Sequence, residues 1–553
     1  MIPLDAAPSG RDRTNVHLSP EEAVALVPGG ATVAVGGTGS LLQVPETLLA
    51  ALERRWEDGG SPAGLTVVHV MGLGDHEGRG VDHVAIPGLV RRFIGSHFVL
   101  SPREQGVIAR NEVEAIGLPA GTISLLYREI AARRPGLFTD IGLGTFVDPR
   151  QQWGRMNERT TTGLSELVTV GGREWLFYPR FDLDVALLRA TEADVDGNIG
   201  MDDEAAIADN LAIAQATHNS GGLVLVEVKR LVDRGELPAN RVRIPGPLVD
   251  HVVLTDFPNQ TPITVADPRR TGTLPNRPTQ VEALPFDQRK VVARRAATEL
   301  HEGDLANLGV GMANGISYVA LEEGFLDRFT LTVEQGIFGG LPGVGLDSGT
   351  AINPSAIVDM PSQFDLYDGG ALDFAGLAYA EVDRHGNVNV AAAGGRPIGP
   401  GGFIDISQKA RTIVFCGTLR GGGLEVGITD GQLVITKDGR YPKFVDEVSH
   451  ICFSAERAHA AGQEVLYVTE RAVFRLGPAG VELIELAPGV DLQRDVLDRM
   501  GFTPVLRGEP RLMEPRLFRP EPAGLKPRPR RDKTGLTRTG RAKTGRDQTT
   551  ERP

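Results

Sequence analysis

One unit, in which a helix is followed by a short apolar strand, a glycine-rich turn and a second helix, occurs twice in this chain. The first copy begins at Ser19, where Ser-Pro-Glu-Glu has the form of a capping box with proline in the first helical position. The strand 31–35 follows and runs into Gly-Gly-Thr-Gly at 36–39, before a helix at 45–54. A short, β-branched, apolar strand of this kind is typical of a parallel sheet covered on both faces.

The second copy of the unit lies in the other half of the chain. The pattern predicts a helix at 287–301, a strand at 305–310, a glycine-containing turn at 311–315 and a helix at 316–323. The two copies are therefore expected to occupy equivalent places in two related parts of the protein.

A Gly-Asn turn between apolar segments also occurs once in each half, at Asn198 and at Asn387. Two matched features in the same order predict an α/β fold built from two related, doubly wound lobes. Ligands of such sheets bind at the carboxyl ends of the strands. We therefore expect the active site between the two lobes.

Prolines divide the chain. Six of them fall between Pro258 and Pro285, and proline is excluded from helix interiors and central strands. This composition predicts a linker at 258–285 between an N-terminal lobe at 15–257 and a C-terminal lobe at 286–515.

The C-terminal segment differs from the rest in charge. Residues 524–553 hold ten Lys or Arg against three Asp or Glu, with repeated Lys-Thr-Gly and Arg-Thr-Gly fragments, which is typical of disorder. We predict a basic disordered tail at 520–553. The whole chain carries a net charge of -13, so the part before the tail is strongly acidic. Nucleic acid is not an expected partner, because phosphate binding needs clustered cations.

Cysteine usage and hydropathy indicate the compartment. Cys416 and Cys452 are the two cysteines of the sequence, too few for a disulfide framework or a cysteine metal cluster, and typical of a reducing compartment. No run of about 18 apolar residues occurs and the first residues hold no apolar signal segment. We expect a cytoplasmic protein without a membrane partner and without a metal site.

Several familiar sites are missing from the sequence. It contains no phosphate-binding Gly-x-x-x-x-Gly-Lys motif, no Gly-x-Ser-x-Gly, no His-Glu-x-x-His and no Cys-x-x-Cys. The dinucleotide fingerprint is incomplete, because Leu42 stands where its third glycine belongs. ATP-driven ligation and nucleotide-dependent oxidoreduction therefore lose their main support.

Glu334 differs from the other carboxylates in its setting. It ends an apolar strand at 331–333 and is followed by Gly336, Gly339 and Gly340. A carboxylate at this end of a strand can face a substrate, while nearby backbone N–H groups receive an oxyanion. A surface glutamate that opens a loop explains the spacing equally well, with the glycines permitting positive φ.

The segment Val-Glu-Gln-Gly-Ile-Phe-Gly-Gly-Leu-Pro at 333–342 resembles the nucleophile segment of the family I coenzyme A transferases, of the single-chain acetate/propionate and 3-oxoacid type. Ordered matches extend from about residue 19 to 504, among them Gly-Leu-Gly-Thr-Phe-Val-Asp-Pro-Arg at 142–150 and Gly-Gly-Phe-Ile at 401–404. The resemblance implies the CoA-transferase/NagB-RpiA-like fold.

The resemblance also implies an activity. It makes Glu334 the nucleophile of a ping-pong reaction that moves CoA between a short-chain acyl-CoA and a free carboxylate through a glutamyl-CoA thioester. Acetate, propionate and 3-oxoacids are the implied acids, in short-chain fatty acid metabolism and ketone body catabolism. Coenzyme A is a substrate, no tightly bound cofactor is expected, and family members are commonly homo-oligomers, either dimers or tetramers.

Glycines near predicted strand ends are candidates for the remaining parts of such a site. The tetrahedral steps need backbone donors, and CoA needs backbone that it can approach closely. The candidate oxyanion donors are Gly401, Gly402, Gly36 and Gly37, the candidates for close approach by CoA are Gly339 and Gly340, and Asn387 is a weaker candidate that a simple turn also explains.

Two departures from the family pattern bear on function. Ala120 stands where related enzymes commonly have a glutamine thought to hydrogen-bond within the site, and Ile337 and Phe338 are bulkier than usual after the glycine, which affects the expected acyl pocket. Ala120 supports one alternative, a non-catalytic acyl-CoA sensor, and an acyl-CoA hydrolase on the same scaffold, in which water replaces the acceptor acid, is the other.

Overall fold

The computed structural model describes residues 17–274 and 281–531. Ten helices are present in this part of the chain, five in each half. They are α1 (Pro20–Ala25), α2 (Glu46–Gly59), α3 (Pro102–Ala109), α4 (Ala120–Ala131), α5 (Asn210–Asn219), α6 (Gln288–Ala297), α7 (Gly315–Glu322), α8 (Met360–Asp368), α9 (Phe403–Lys409) and α10 (Ala455–Ala461).

The N-terminal lobe is built on a nine-stranded sheet with a three-stranded antiparallel sheet beside it. The strands are β1 (Thr32–Val35), β2 (Leu65–His69), β3 (Val90–Gly95), β4 (Glu114–Gly117), β5 (Gly136–Thr139), β6 (Glu166–Val170), β7 (Arg173–Pro179), β8 (Val185–Asp194), β9 (Ile199–Gly200), β10 (Leu223–Val232), β11 (Val242–Ile244) and β12 (His251–Leu254). Strands β4, β3, β2, β1, β8, β10 and β12 are parallel neighbours in that order.

The C-terminal lobe is built on a ten-stranded sheet with short two-stranded additions. Its first strands are β13 (Leu305–Leu308), β14 (Thr330–Val333), β15 (Ile337–Phe338), β16 (Leu341–Pro342), β17 (Ala351–Ile352), β18 (Ala356–Ile357), β19 (Phe374–Ala378), β20 (Glu381–Val382), β21 (Val388–Asn389), β22 (Ala392–Ala393) and β23 (Arg396–Pro397). The remaining strands are β24 (Thr412–Cys416), β25 (Arg420–Gly421), β26 (Glu425–Thr429), β27 (Gln432–Lys437), β28 (Tyr441–Pro442), β29 (Glu464–Val468), β30 (Ala472–Gly477), β31 (Gly480–Leu486) and β32 (Arg511–Leu512).

The parallel part of the second sheet runs β14, β13, β19, β24 and β29, and antiparallel strands extend it at both ends. Both lobes are thus parallel-dominated α/β units, which confirms the predicted fold class. The two predicted units correspond to α1, β1 and α2 and to α6, β13 and α7. The helix predicted to reach residue 301 ends at Ala297, and Asp304 accepts the His301 N–H at 3.0 Å as the chain turns into β13.

The two Gly-Asn turns have the same hydrogen bonds. Asp194 accepts the backbone N–H and the side-chain amide of Asn198, each at 2.9 Å. Asp383 accepts the same two groups of Asn387, again at 2.9 Å. Equal contacts in equivalent places support the inference that the lobes are related.

The lobes meet through helices. Ile123 and Tyr127 of α4 belong to the same buried apolar cluster as Phe364 and Tyr367 of α8. On the rim of this contact Arg128 pairs with Asp359 and Asp365 at 2.8 and 2.6 Å. These contacts of α4 with α8 hold the two lobes together.

The segment predicted as a linker packs against the C-terminal lobe. Arg270 pairs with Asp347 at 2.7 Å, and both side chains are mostly buried. The part of the predicted linker at 275–280 lies outside the described residues.

The prediction of a disordered tail from residue 520 is wrong for residues 520–531. Leu525 is 3% exposed, and Glu323 accepts the backbone N–H groups of Ala523 and Leu525 at 2.6 and 3.0 Å. The basic, proline-containing composition of the segment does not indicate that two of its residues, Ala523 and Leu525, are buried in the apolar cluster that also contains Val291 of α6. Residues 532–553 lie outside the described part of the chain.

Within residues 17–274 and 281–531, no helix has both the length and the apolar character that crossing a membrane requires.

Candidate active site

A cavity of about 540 Å³ lies between the two lobes. The N-terminal lobe supplies Gly39, Ser40 and loop residues that follow β2 and β3, and the C-terminal lobe supplies residues at or after the carboxyl ends of β13, β14 and β19. The cavity is therefore bordered by strand ends of both sheets, where doubly wound folds bind their ligands.

Glu334 lies in this cavity, directly after β14. Its Oε2 atom is buried and has no hydrogen-bond partner in the described part of the protein. Burial raises the pKa of Glu334 to about 7, against a smaller opposing effect of a hydrogen bond with Gln335. The carboxylate thus lies at the cavity with one of its oxygens, Oε2, buried and without a partner among the described residues.

Gly402 also lines the cavity and lies against the Glu334 carboxylate. A Cβ atom built on Gly402 would collide with Glu334 Oε2, so no other residue type fits here with Glu334 in place. The Gly402 N–H makes no hydrogen bond to the described residues. Gly402 therefore lies at the cavity beside Glu334, where the sequence predicted it.

Gly401 lies at the cavity as predicted, but its backbone groups are already engaged. Its N–H donates to Ser96 O at 2.7 Å, and its carbonyl accepts the Ala120 N–H at 2.9 Å. Gly401 therefore joins the lobes and is not a free donor for an oxyanion. Ala120, which stands where related enzymes commonly have a glutamine, donates only its backbone N–H to Gly401, at the start of α4.

Gly36 and Gly37 do not line the cavity. The Gly36 N–H donates to Leu187 O at 2.8 Å, and Gly37 has φ +107°, with no room for a Cβ atom beside the Gln43 carbonyl. The assignment of Gly36 as an oxyanion donor is wrong because the sheet already uses its N–H. The next residues of the same turn, Gly39 and Ser40, reach the cavity instead.

Gly339 and Gly340 border a different cavity of about 570 Å³, which Glu334 does not line. The Gly339 N–H donates to Leu331 O at 2.7 Å. Gly340 has φ +77°, and a Cβ there would clash with Ile352 O. Both glycines form the tight connection from β15 to β16, so the structure does not place them beside Glu334.

Asn387 is a turn residue. Its side-chain oxygen accepts the Ala455 N–H at 2.9 Å and its amide donates to Asp383, and it is not among the residues that line the cavity. Ile337 and Phe338 lie in β15 and do not line the cavity either. The expectation that these two residues shape the acyl pocket is therefore wrong.

Other polar residues line the cavity that the sequence did not predict there. His97 and Ser348 both line it, and the Ser348 hydroxyl is buried without a partner in the described part of the chain. Gln335 donates its side-chain amide to Thr38 at 3.2 Å across the lobes. The position of Gln335 next to Glu334 in the sequence could have predicted its place at the cavity. No sequence pattern distinguishes His97 from the other histidines.

In the described segments 17–274 and 281–531, no group of three or more His, Cys, Asp or Glu side chains is arranged to hold a metal ion.

Comparison with known proteins gives consistent results. The profile of the family described as Coenzyme A transferase matches residues 17–255. The chain is 45% identical over 500 residues to the acetate CoA-transferase YdiF of Escherichia coli K12, covering 90% of this chain and 94% of that protein. It is 43% identical over 505 residues to the caffeate CoA-transferase of Acetobacterium woodii, covering 90% and 96%.

One solved structure of a similar protein is described as a complex with CoA. The acyl-CoA transferase YdiF of Escherichia coli O157:H7, described as a thioester complex with CoA, matches with a TM-score of 0.88 and 43% identity, over 93% of this chain and 98% of that chain. The apoenzyme of the same protein matches with a TM-score of 0.89, over 94% and 100%.

Proposed function

The chain belongs to the coenzyme A transferase family and is a CoA-transferase, and from this premise we propose that Glu334 carries CoA from a short-chain acyl-CoA to a free carboxylate. The observation that supports this assignment is the position of the Glu334 carboxylate at a cavity between the lobes, with its Oε2 atom buried and without a hydrogen-bond partner among the described residues. A thioester complex with CoA is described for a similar protein, which agrees with a covalent enzyme intermediate.

The first half-reaction begins when a Glu334 oxygen attacks the thioester carbonyl carbon of the acyl-CoA. The C–O bond forms, the C–S bond breaks, and CoA leaves as a thiolate from a mixed anhydride. The thiolate then attacks the side-chain carbonyl carbon of Glu334. The donor acid leaves as a carboxylate with the bridging oxygen, and glutamyl-CoA remains.

The second half-reaction repeats these steps in reverse with the acceptor acid. Its carboxylate attacks glutamyl-CoA and expels the thiolate, which then attacks the acyl carbonyl and returns Glu334 to its carboxylate. Each step exchanges one carboxyl derivative for another, so no phosphate donor is needed. The absence of a phosphate-binding motif from the sequence fits this chemistry.

Each step passes through a tetrahedral oxyanion, and we assign the Gly402 N–H as a donor to it. Gly402 packs against the Glu334 carboxylate and has a free N–H in the described structure. Removal of one such donor costs other acyl-transfer enzymes roughly 2.7–4 kcal/mol of transition-state stabilisation. Ala120 does not argue against catalysis, because the donor assigned here is a backbone group.

Burial also increases the reactivity of Glu334 as a nucleophile. A carboxylate that has lost water and has no cationic partner is a stronger nucleophile than a solvated one. The raised pKa of Glu334, about 7, reflects the same desolvation. The ionised fraction of Glu334 should therefore control the first step.

The finer assignments follow from the same proposal. Short-chain acids such as acetate, propionate and 3-oxoacids fit a cavity of about 540 Å³ better than long acyl chains. We propose a cytoplasmic homo-oligomer, since both cysteines are buried free thiols, as a reducing compartment favours, and related enzymes commonly associate. Light scattering coupled to size exclusion gives the oligomeric state.

Mass spectrometry of the peptide that contains Glu334 tests the mechanism. After incubation with acetyl-CoA and no acceptor acid, we expect a CoA adduct on Glu334 in the wild-type enzyme and none in Glu334→Gln. CoA exchange into acetate, propionate and butyrate should follow ping-pong kinetics and vanish in the variant. Full activity of Glu334→Gln would refute the assignment.

The same experiment separates the two alternatives. Release of free CoA thiol without any acid, as fast as transfer, indicates a hydrolase. Tight acyl-CoA binding with neither adduct nor exchange indicates a sensor.

A further inference from the structure

His97 lines the cavity that contains Glu334, but the steps above do not use it. It follows β3, and the preceding residue, Ser96, accepts the Gly401 N–H at 2.7 Å. Because Gly402 lies against Glu334, His97 and the nucleophile belong to adjoining parts of one wall. A Cβ built on Gly72 would stand 2.6 Å from His97 Nδ1, so the glycine provides the space for the imidazole.

The His97 imidazole makes no hydrogen bond within the described part of the protein. Burial lowers its pKa to about 4, with smaller contributions from His69 and His76, so the ring is neutral at pH 7. A neutral imidazole offers one N–H donor and one nitrogen acceptor. The ring is partly exposed and lines the cavity, so its donor and its acceptor are both available to a ligand that enters the cavity.

The surroundings of His97 suit the acyl part of the substrate. Met71, Val99 and Leu100 form apolar wall next to it. Glycine-rich segments, including 343–349, and Val310, which is 66% exposed, also line the cavity. A cavity of about 540 Å³ is too small for the whole of CoA, so the acyl group at Glu334 occupies the cavity that His97 lines and the long CoA chain extends beyond it.

The charge of the wall limits the acyl tail further. Among the described residues that line the cavity, Glu334 is the only carboxylate and no Lys or Arg is present. A second carboxylate on the substrate would be buried beside Glu334 without a cation, which is costly.

We propose that His97 is a specificity-determining residue, whose imidazole hydrogen-bonds an uncharged oxygen, hydroxyl or oxo, on the acyl chain of a monocarboxylate. This inference rests on the proposed function, because it places the acyl group next to Glu334. It adds the class of acid that the enzyme prefers: short, oxygenated and without a second charge.

Acceptor specificity tests the proposal. The values of kcat/KM for CoA transfer from acetyl-CoA are measured with butyrate, 3-hydroxybutyrate, 3-oxobutyrate and succinate. For the wild-type enzyme we expect the two oxygenated acids to exceed butyrate by about 3- to 10-fold, as one hydrogen bond between neutral groups provides. Succinate should be at least about tenfold poorer than butyrate.

His97→Leu should remove the preference for the oxygenated acids and keep transfer to butyrate within about threefold, while His97→Asn, which retains an amide, should keep part of the preference. Val99→Ala is the matched control, because it changes the same wall without a polar group and should affect all four acids alike.

The proposal is overturned if His97→Leu leaves the preference intact, if it lowers butyrate and the oxygenated acids equally, or if succinate matches butyrate. The proposed function is judged separately by the Glu334 adduct. An enzyme that forms the adduct and transfers CoA to butyrate with no effect of His97 contradicts only the inference about His97.

Discussion

The Glu334 carboxylate rests directly on the backbone of Gly402, and a Cβ atom at Gly402 would collide with Glu334 Oε2. Gly402 has φ -83°, so its conformation does not require glycine. The residue type is therefore required by the close approach of the carboxylate. This separates Gly402 from glycines of the chain that serve backbone turns.

Gly402→Ala is expected to lower turnover by at least about 100-fold while the protein stays folded, because the methyl group displaces the nucleophile by more than catalysis tolerates. Steady-state transfer and thermal unfolding check this. Gly59→Ala is the control, since nothing lies within 4 Å of a Cβ there and its φ is ordinary. A Gly402→Ala enzyme that unfolds before it loses activity contradicts the prediction.

The rate of the first half-reaction should depend on pH through Glu334. Its pKa is about 7 and the ionised form is the nucleophile, so the rate of adduct formation should rise about tenfold per pH unit below 7 and level off above. Rapid-quench measurement between pH 5.5 and 9 gives the profile. A rate that is constant from pH 5.5 to 8 would show that Glu334 ionises at a normal pKa.

The same pKa makes Glu334 destabilising at high pH. The unfolded carboxyl ionises near 4.5 and the folded one near 7, so the folded state binds more protons between these values and its stability falls as pH rises. Glu334→Gln should therefore raise the free energy of unfolding by about 1–3 kcal/mol at pH 8, a range lowered because water in the cavity screens the charge. At pH 4.5 the increase should be much smaller.

Thermal unfolding at pH 5 and pH 8 measures this difference. Asp182→Asn, which removes an exposed partner of Arg180, is the control and should change little at either pH. Equal effects of Glu334→Gln at both values would contradict the assignment of burial as the cause.

Local patterns in the sequence predicted the parts of the fold that depend on neighbours in the chain. The capping box at Ser19 forms as expected, with Glu22 N–H donating to Ser19 Oγ and Glu22 accepting from Ser19 N–H. The strand before Glu334 and the glycine turns are likewise local features. The resemblance of a continuous segment identified Glu334 itself.

The sequence did not show which backbone groups are already bonded across the fold. The Gly401 N–H is taken by Ser96 and the Gly36 N–H by Leu187, and both bonds join residues that are far apart in sequence. His97 and Glu334 likewise come together only when the lobes pack. Of the predicted donors at the cavity, Gly401 is therefore already bonded, and Gly402, whose N–H has no partner among the described residues, stays a prediction.

Asp347 should position the loop 343–350 at the cavity. Its carboxylate accepts from Arg270 at 2.7 Å and from the hydroxyl groups of Thr261 and Thr264 at 2.6 and 2.9 Å. Asp347→Asn removes the nearer of the two carboxylates that pair with the mostly buried Arg270, since Asp267 lies at 3.5 Å, and we expect KM for acyl-CoA to rise about 5-fold or more with a smaller change in kcat.

Initial-rate kinetics over a range of acyl-CoA concentrations separate KM from kcat. Asp202→Asn, which breaks the exposed pair with Arg241, is the control and should leave both constants unchanged. A fall in kcat at unchanged KM would assign Asp347 a different role.

Leu525 is expected to hold the C-terminal segment on the C-terminal lobe. The side chain is 3% exposed and packs in the cluster that contains Val291 and Leu517, while the buried Arg294 donates to the carbonyls of Arg519 and Glu521 at 2.5 and 2.8 Å. Leu525→Ala should lower the free energy of unfolding by about 2–4 kcal/mol, because it opens a cavity and weakens the contacts that satisfy Arg294.

Leu512→Ala is the matched control for this effect. Leu512 is 67% exposed, so its truncation should change stability by no more than about 0.5 kcal/mol. Urea unfolding followed by fluorescence measures both variants, and CoA transfer at 25 °C should be normal in both, since neither residue lines the cavity with Glu334. Equal stabilities of the two variants would show that residues 520–531 contribute nothing to the fold.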